Sequence, residues 1–302
     1  MLSIEDLHFF AAVARASTLA AAARALGVTA SAVSQRLREL EAKLQVRLVD
    51  RSTRHLSLTA EGRLLAERGR AVVADIEQIT DALTARHSTV SGHLRVVASF
   101  GFGRRFVAPV AARFRSEHPG ATLELILSEN PLRGGTESWD VTVHVGPLRD
   151  SRRIARRLAT NRRVACAAPD YIRRRGAPVT PAELRGHDCI ALLENDEDVT
   201  LWRFTKPGTE PVAVRIDSVM CSNSGEVVHD WARAGLGIIV RSEWDVAEDL
   251  RSGRLIEVLA DWALPSADIT ALVGERSGRT ARTKQFMLLL AASLANPPWQ
   301  VS

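Results

Sequence analysis

The N-terminal fold is decided by residues 17–44, which read STLAAAARALGVTASAVSQRLRELEAKL. Thr18 can cap a short helix that stops at Gly27, and Thr29 can cap the longer helix that follows. The longer helix has one apolar stripe with steps of 4, 3 and 4 residues, made of Val33, Leu37, Leu40 and Leu44. Two helices joined by a three-residue turn are typical of a helix-turn-helix.

The residues around this motif predict a winged helix-turn-helix. Residues 4–15 have apolar side chains at helical spacing and predict a first amphipathic helix. Residues 46–51 and 55–59 flank a polar turn and predict a two-stranded wing. Residues 15–54 contain eight Lys or Arg against three Asp or Glu, an excess that suits a polyanionic partner. A solvated helix face is the alternative explanation of this charge.

One long helix is predicted over residues 60–88. Its apolar positions step alternately by 4 and 3 residues, the average period of 3.5 that two packed helices need. These positions are Leu65, Gly69, Val72, Ile76, Ile79 and Leu83. Because the other faces carry charges, we predict a dimerisation helix whose contacts are Leu65, Val72, Ile76, Ile79 and Leu83. The alternative is a helix that lies on its own domain.

From residue 93 the pattern changes to alternating strands and helices, which predicts an α/β fold with covered sheets. The expected domains are therefore a winged helix-turn-helix at 1–59, a linker helix and hinge at 60–92, and an α/β domain at 93–302. The length of the third domain suits one large lobe or two small ones.

Composition excludes several classes of protein. The chain has 302 residues, with 46% hydrophobic and 25% charged residues, which excludes general disorder and predicts two or three domains. A run of 18 apolar residues, a signal peptide, metal-ligand spacing and a catalytic set are all missing from the sequence. Three cysteines are too few for a disulfide framework. We expect a cytoplasmic protein that is not an enzyme and needs no metal or other cofactor.

Several segments together resemble a known family. They are AAARALGV at 21–28, SAVSQRL at 31–37, LE at 40–41, LVDR at 48–51, LTAEG at 58–62, WDVTVHVG at 139–146 and ARAGLGI at 232–238. Their order and spacing resemble LysR-type transcriptional regulators along the whole chain. The resemblance implies a two-lobed effector-binding domain similar to periplasmic binding proteins. Lobe I would span about 93–162 and 267–302, and lobe II about 163–266.

The resemblance also implies that the helix after Thr29 reads DNA in the major groove. Gln35 can bond adenine, Arg38 can reach guanine or phosphate, and short hydroxyl side chains suit phosphates. The predicted DNA contacts are Thr29, Ser31, Ser34, Gln35 and Arg38 in the helix, with Arg51 and Arg54 in the wing. For Arg51, packing between the wing and the helix is the alternative.

Four departures from the family pattern are visible. Residues 29–31 replace the frequent Ser-Gln-Pro start of the recognition helix, so base reading must use the residues that follow. Gln45 stands in place of a common glycine, and Val49 in place of a common phenylalanine. Residues 130–136, NPLRGGT, argue against the short helix that relatives have there.

Two junctions predict an anion site at the carboxyl ends of strands. Residues 99–103, SFGFG, and residues 222–225, SNSG, each link a strand to a helix and place backbone N–H groups at a helix start. Two such starts facing each other between lobes would hold a small carboxylate, and the resemblance implies the same cleft. The predicted effector contacts are Ser99, Phe100, Gly101, Arg104, Ser128, Asn223 and Ser224.

The resulting hypothesis is a ligand-responsive, sequence-specific DNA-binding transcriptional regulator. The resemblance implies a homotetramer formed as a dimer of dimers, with RNA polymerase as a further partner and no membrane. One alternative is a solute-binding or catalytic α/β protein with a helical N-terminal extension. Another is an architectural DNA-binding protein without a ligand.

Two smaller features remain open at the level of sequence. Residues 149–175 contain ten arginines, which fits a second DNA surface or solvated strand edges and a helix face. Cys221 lies beside the predicted cleft, where a redox switch is conceivable and a structural thiol is the simpler reading.

Overall fold

The computed structural model describes residues 1–50, 56–84, 90–132, 139–148, 154–193, 198–274 and 280–300. At positions 74, 77, 78 and 80–84 it describes the backbone alone. The chain divides into two compact units, Met1–Thr89 and Val90–Ser302. Among the described residues, no helix is long and apolar enough to cross a membrane.

The first unit is a winged helix-turn-helix followed by a long helix. Its elements are α1 (Ile4–Arg15), α2 (Leu19–Leu26), α3 (Ala30–Leu44), β1 (Val49–Asp50), β2 (Ser57–Leu58) and α4 (Ala60–Thr84). The two strands pair antiparallel and are shorter than predicted.

The helix starts and stops of the motif follow from its turn residues. Thr18 Oγ1 accepts a hydrogen bond from the backbone N–H of Ala21 at 3.1 Å, and Thr29 Oγ1 accepts one from Ala32 at 3.2 Å. Gly27 ends α2 in the left-handed conformation with φ of 65°. The predicted stripe of α3 packs against α1 and α2, with Val33, Leu37 and Leu40 buried and Leu44 partly buried.

Glycines bring α4 close to the rest of this unit. A Cβ added at Gly62 would collide with the carbonyl oxygen of Leu48, and one at Gly69 would lie 2.9 Å from Cδ2 of Leu7. Leu65 packs against the same core. The first half of α4 therefore lies on its own unit, which is the alternative that the sequence had left open.

The second unit contains two five-stranded sheets. One sheet has the order β4-β3-β5-β14-β6 and the other β11-β8-β12-β7-β13. The strands of the first sheet are β3 (Gly92–Ser99), β4 (Ala121–Ser128), β5 (Val141–Val145), β6 (Ile154–Ala159) and β14 (Ile269–Val273). Those of the second are β7 (Arg163–Ala167), β8 (Cys189–Leu192), β11 (Ser218–Ser222), β12 (Ile238–Ser242) and β13 (Ile256–Val258).

Helices cover these sheets, as strand–helix alternation predicts. They are α5 (Phe100–Phe102), a π-helical turn (Gly103–Val107), α6 (Ala108–Glu117), α7 (Pro169–Arg175), a 3₁₀ turn (Pro181–Gly186), α8 (Gly225–Arg233), α9 (Glu243–Arg251) and α10 (Ala281–Ser293). The stretch from Phe100 to Glu117 is one continuous helical segment, which the sequence predicted as a helix over 103–117.

The described residues include two elements that the sequence reading missed. They are β9 (Leu201–Phe204), which forms a hairpin with β10 (Val212–Arg215), a strand that the sequence predicts over 212–216, and β13, which forms the edge of the second sheet. Both missed strands have four residues or fewer, too short for a clear alternation of apolar and polar side chains. Trp202 and Phe204 are buried in the core that the hairpin shares with the second sheet, and this packing holds the hairpin in place.

The two sheets are joined through an aromatic contact. Trp244 and Ala247 of α9, which follows a strand of the second sheet, are buried in the core of the first. The Trp244 ring lies 5.4 Å from the ring of Phe102 and 6.0 Å from that of Phe106, both edge-on. Arg105 donates a hydrogen bond to the Trp244 carbonyl at 3.3 Å.

Candidate functional site

One exposed face of α3 carries the residues predicted to read DNA. Thr29, Ser31, Gln35 and Arg38 are exposed and Ser34 is half-buried, while the opposite face packs into the core. Such a face has the size and polarity that fit a major groove.

Hydrogen bonds within the helix already engage most of these side chains. Thr29 caps the helix and shares a hydrogen bond of 3.0 Å with the hydroxyl of Ser31. Gln35 donates to the carboxylate of Glu39 at 3.0 Å, and Arg38 donates to the carbonyl of Ser34 at 3.3 Å. Thr29 thus has a structural role besides any contact with phosphate, and Glu39 is a neighbour that the sequence reading missed.

The wing is tied to the recognition helix by Glu41. Its carboxylate accepts hydrogen bonds from the backbone N–H groups of Leu48 at 2.9 Å and Val49 at 3.3 Å. Thr59 adds a second tie by donating to the carbonyl of Arg47 at 2.7 Å. The predicted contacts Arg51 and Arg54 lie outside the described residues.

The strand ends of the second unit gather the predicted effector contacts. Ser99 and Ser128 are the last residues of the neighbouring parallel strands β3 and β4 and lie opposite each other. Ser99 does not cap the helical segment that follows it. Ser224 caps α8 by accepting from the backbone N–H of Val227 at 3.5 Å. We call the space between Ser99–Arg104 with Ser128 on one side, and Ser222–Glu226 on the other, the effector cleft.

Among the residues that the structure describes, two polar contacts cross the effector cleft. Arg104 Nη2 lies 2.5 Å from Oε1 of Glu226, and the side-chain N–H of Asn223 donates to Oε2 of Glu129 at 2.7 Å. Helices α5 and α8 are also in contact. The structure therefore places Gly101 and Arg104 beside Glu226 in the first turn of α8, and Asn223 beside Glu129, the residue after Ser128.

Buried side chains pack against the two glycines that line the cleft, Gly101 and Gly225. A Cβ added at Gly225 would collide with the guanidinium of Arg241, so a larger residue at this helix start would have to displace that side chain. Arg241 is itself buried and donates to Asp245 at 2.8 Å. A Cβ at Gly101 would lie 3.0 Å from the indole of Trp244. Both glycine junctions are therefore packed against large side chains behind them.

The same buried network extends to a histidine. His229 Nε2 lies 2.7 Å from Asp249 and its Nδ1 lies 3.5 Å from Asp245. Burial lowers the pKa of His229, but hydrogen bonds and charge attraction from the two carboxylates outweigh burial and raise it above its usual value. Burial likewise opposes ionisation of Asp245, yet Arg241 and His229 bring its pKa down to about 2.

The described arginines of the 149–175 run mostly have local partners. Arg162 pairs with Glu243 and Glu257 at 2.8 and 2.7 Å, and Arg174 donates to the carbonyl of Gly235 at 2.7 Å. Arg175 donates to the carbonyl of Gly186 at 2.9 Å. These contacts favour the structural explanation over a second DNA surface for this part of the run.

The cysteines differ in exposure. Cys166 and Cys189 are buried, and burial raises the pKa of the Cys189 thiol to about 12. Cys221 is exposed on β11. Among the described residues, no group of three or more His, Cys, Asp or Glu is placed to hold a metal.

The residues of the predicted dimerisation seam differ in burial along α4. Leu65 packs on its own unit, whereas Val72 and Ile79 are 46% and 60% exposed. Ile76 is half-buried, and the side chain of Leu83 lies outside the described residues. Leu64, 57% exposed, joins Val72 and Ile79 as an apolar side chain that the single chain leaves uncovered.

The sequence reading missed three residues at the cleft: Glu129, Glu226 and Trp244. Each lies next to a predicted strand end or helix start, and that position is the one signal the sequence offers. Their approach across the cleft depends on how two lobes meet, which local periodicity does not encode.

A helix-turn-helix unit joined to a two-lobed ligand-binding unit defines a one-component transcriptional regulator. A family model for the bacterial regulatory helix-turn-helix of the LysR family matches residues 4–63, and one for the LysR substrate-binding domain matches residues 87–295. The chain belongs to the LysR family of transcriptional regulators.

Relatives and solved structures agree with this assignment. The chain is 35% identical to the HTH-type transcriptional regulator DmlR of Escherichia coli K12, over 93% of this chain and 91% of the relative. It is 32% identical to the transcriptional activator TtdR of the same strain, over 95% and 92%. The structure of CrgA from Neisseria meningitidis matches with a TM-score of 0.61 and 29% identity, over 98% of this chain and 100% of that chain. Full-length AphB of Vibrio cholerae shares the fold, with a TM-score of 0.63 and 24% identity over 96% and 99%.

Proposed function

We propose that this regulator reads DNA with the exposed face of α3 and responds to a small carboxylate bound in the effector cleft. The observation that carries the proposal is the convergence of three chain segments at that cleft, each at the end of a strand or the start of a helix. It supports an interaction with a ligand that bridges the two lobes.

The chemistry of the cleft favours an anion with additional hydrogen-bonding groups. Backbone N–H groups at the start of α8, with Arg104 and the hydroxyls of Ser99 and Ser128, supply donors and positive charge. Glu129 and Glu226 supply acceptors at the rim. A carboxylate that also carries a donor group would satisfy both sets.

The DNA contacts proposed for α3 are Ser31, Ser34, Gln35 and Arg38, with Thr29 at the helix start. The resemblance adds Arg51 and Arg54 of the wing. The exposure of the α3 residues supports this assignment, and the Gln35 amide, which gives one N–H to Glu39, has a second N–H and a carbonyl oxygen with which to bond a base.

The remaining functional elements are part of the same proposal. Residues 1–59, 60–92 and 93–302 act as DNA-binding domain, linker and effector-binding domain, and two dimers form a tetramer in the cytoplasm. Contact with RNA polymerase then regulates transcription, and the chain has no enzymatic role.

Gln35→Ala tests the reading face. We expect it to lower affinity for a selected operator by about 1–3 kcal/mol and to relax base preference at one position in each half-site. Lys43→Ala is the matched control, because Lys43 pairs with Asp6 at 2.6 Å within the unit. Fluorescence anisotropy on operators with single-base changes measures both effects. Unchanged base preference in Gln35→Ala would refute the placement of α3.

A further inference from the structure

We propose that Glu226 competes with the effector for Arg104: its carboxylate holds Arg104 across the cleft, and an anionic effector displaces it. This inference rests on the proposed function of the cleft as an anion site. It assigns to one side chain the link between binding and movement of the lobes.

The position of Glu226 supports this role. Its Oε1 lies 2.5 Å from Nη2 of Arg104 and 3.8 Å from where a Cβ on Gly101 would lie. The Glu226 carboxylate therefore lies beside the first turn of the helical segment that begins at Phe100. This is where the sequence predicts an anionic ligand. An effector carboxylate and Glu226 would compete for the same guanidinium.

Of the contacts between the two lobes, the Arg104–Glu226 ion pair is easier to break than the packing around Trp244. Trp244 is buried against Phe102 and Phe106, and burial of such aromatic area stabilises the contact without dependence on salt or ligand. The side chains of Arg104 and Glu226 are 70% and 43% exposed. Exposed ion pairs are weak because water competes for both partners. The lobes can therefore stay joined at Trp244 while the rim opens.

The second contact across the cleft is of a different kind. Asn223 donates to Glu129 without a charge of its own, so a ligand carboxylate that took the place of Glu129 would form a hydrogen bond but no ion pair. Displacement of Glu226 frees α8 at its first turn, while the effector keeps Arg104 paired. After the exchange, Arg104 of lobe I still has an anionic partner, but its ion pair with Glu226 of lobe II is gone.

The first test needs no ligand. In the full-length protein, Glu226→Gln keeps the shape of the side chain and removes its charge. Amide hydrogen exchange in residues 100–107 and 225–233 should then become faster than in wild type. Glu117→Gln is the matched control, because the Arg113–Glu117 pair is 2.6 Å long, 62% and 42% exposed, and lies within one helix. The double charge reversal Arg104→Glu with Glu226→Arg should restore slow exchange, which neither single reversal does.

The second test measures competition. Thermal shift titrations use sodium acetate, succinate, citrate and phosphate against all variants at constant ionic strength. Those anions that bind the cleft should bind Glu226→Gln about two- to fivefold more tightly than wild type, the gain expected from releasing an exposed ion pair. Glu117→Gln should bind like wild type, and the charge-reversed double variant should lose binding.

The outcomes separate this inference from the proposed function. Exchange that is unaffected by Glu226→Gln, or anion affinity equal to that of wild type, would overturn the role of Glu226 while leaving an anion effector possible. Faster exchange with no anion binding to any variant would refute the anion effector, and the competition with it.

Discussion

At the scale of single residues, the ends of α2 and α3 show how backbone conformation restricts the choice of residue, because both end in the left-handed conformation. Gln45 ends α3 in the left-handed region with φ of 56°, at a position where LysR-type regulators commonly have a glycine. Gly27 ends α2 with φ of 65°. The two helix ends have the same geometry with different residues, and a non-glycine residue at such a position is strained.

Gln45→Gly should therefore stabilise the first unit by about 0.5–1 kcal/mol, because glycine adopts the left-handed conformation without strain. Gly27→Ala is the counterpart and should destabilise by about 1 kcal/mol. A Cβ at Gly27 meets no atom within 4 Å, so its cost comes from the backbone alone. Urea unfolding followed by far-UV circular dichroism measures both. A loss of stability in Gln45→Gly would contradict the assigned helix end.

His229 makes the stability of the second unit depend on pH in a defined direction. Its raised pKa means that the charged form is favoured in the folded state, so its contribution is complete below about 6.5, the unfolded pKa, and is lost as pH rises through the folded pKa. His229→Gln should thus reduce the free energy of unfolding more at pH 6 than at pH 9, as urea titrations at both values would show.

His187 offers a control of opposite sign in the same lobe. Burial and the nearby charge of Arg175 lower its pKa, so its contribution is present above the unfolded value and is lost as pH falls through the folded one. His187→Gln should cost more stability at pH 9 than at pH 5. Equal pH profiles for the two variants would mean that at least one of the two pKa shifts is not as described.

At the scale of elements, α4 serves two different surfaces. Its first half packs on its own unit through Leu65 and the close approach of Gly62 and Gly69. Further along, Val72 and Ile79 are exposed. The regular period of 3.5 residues therefore did not show that the first half of α4 and the rest of the helix have different surroundings. The same apolar spacing can pack against the helix's own chain in one part and against a partner helix in another.

Val72→Asp with Ile79→Asp should disrupt assembly, since burying two carboxylates in an apolar seam costs several kcal/mol. Light scattering should show smaller species, and operator affinity should fall with the loss of paired half-sites. Glu67→Gln is the control on an exposed position of the same helix, and it should assemble like wild type. A double variant with unchanged mass in solution would rule out this face as the dimer contact.

Elements of regular pattern were predictable from sequence, and short or tertiary-dependent ones were not. The caps Thr18 and Thr29 and the stop at Gly27 gave the helix-turn-helix its bounds, because each depends on residues a few positions apart. Strand β10 was predicted, but its hairpin partner β9 was missed because the stability of β9 comes from burial of Trp202 and Phe204 in the core.

At the scale of the whole molecule, the strand ends that form the effector cleft were predictable from the sequence, but the side chains that meet across the cleft were not. Parallel strands necessarily place their carboxyl ends at one edge, which brought Ser99 next to Ser128. The approach of Glu226 to Arg104 depends on the packing of two lobes around Trp244. Such contacts join residues more than 100 positions apart, and no local spacing encodes them.

The central claim is that an anion in the effector cleft changes how the protein binds DNA. The most direct measurement is operator affinity, by fluorescence anisotropy, with and without a carboxylate that binds the protein, in wild type and in Ser99→Ala. We predict that the carboxylate changes wild-type affinity, and that Ser99→Ala binds DNA equally well without ligand but loses most of the response, because one hydroxyl donor at the strand end is gone. A normal response in Ser99→Ala, or a response to neutral or cationic ligands alone, would contradict the account.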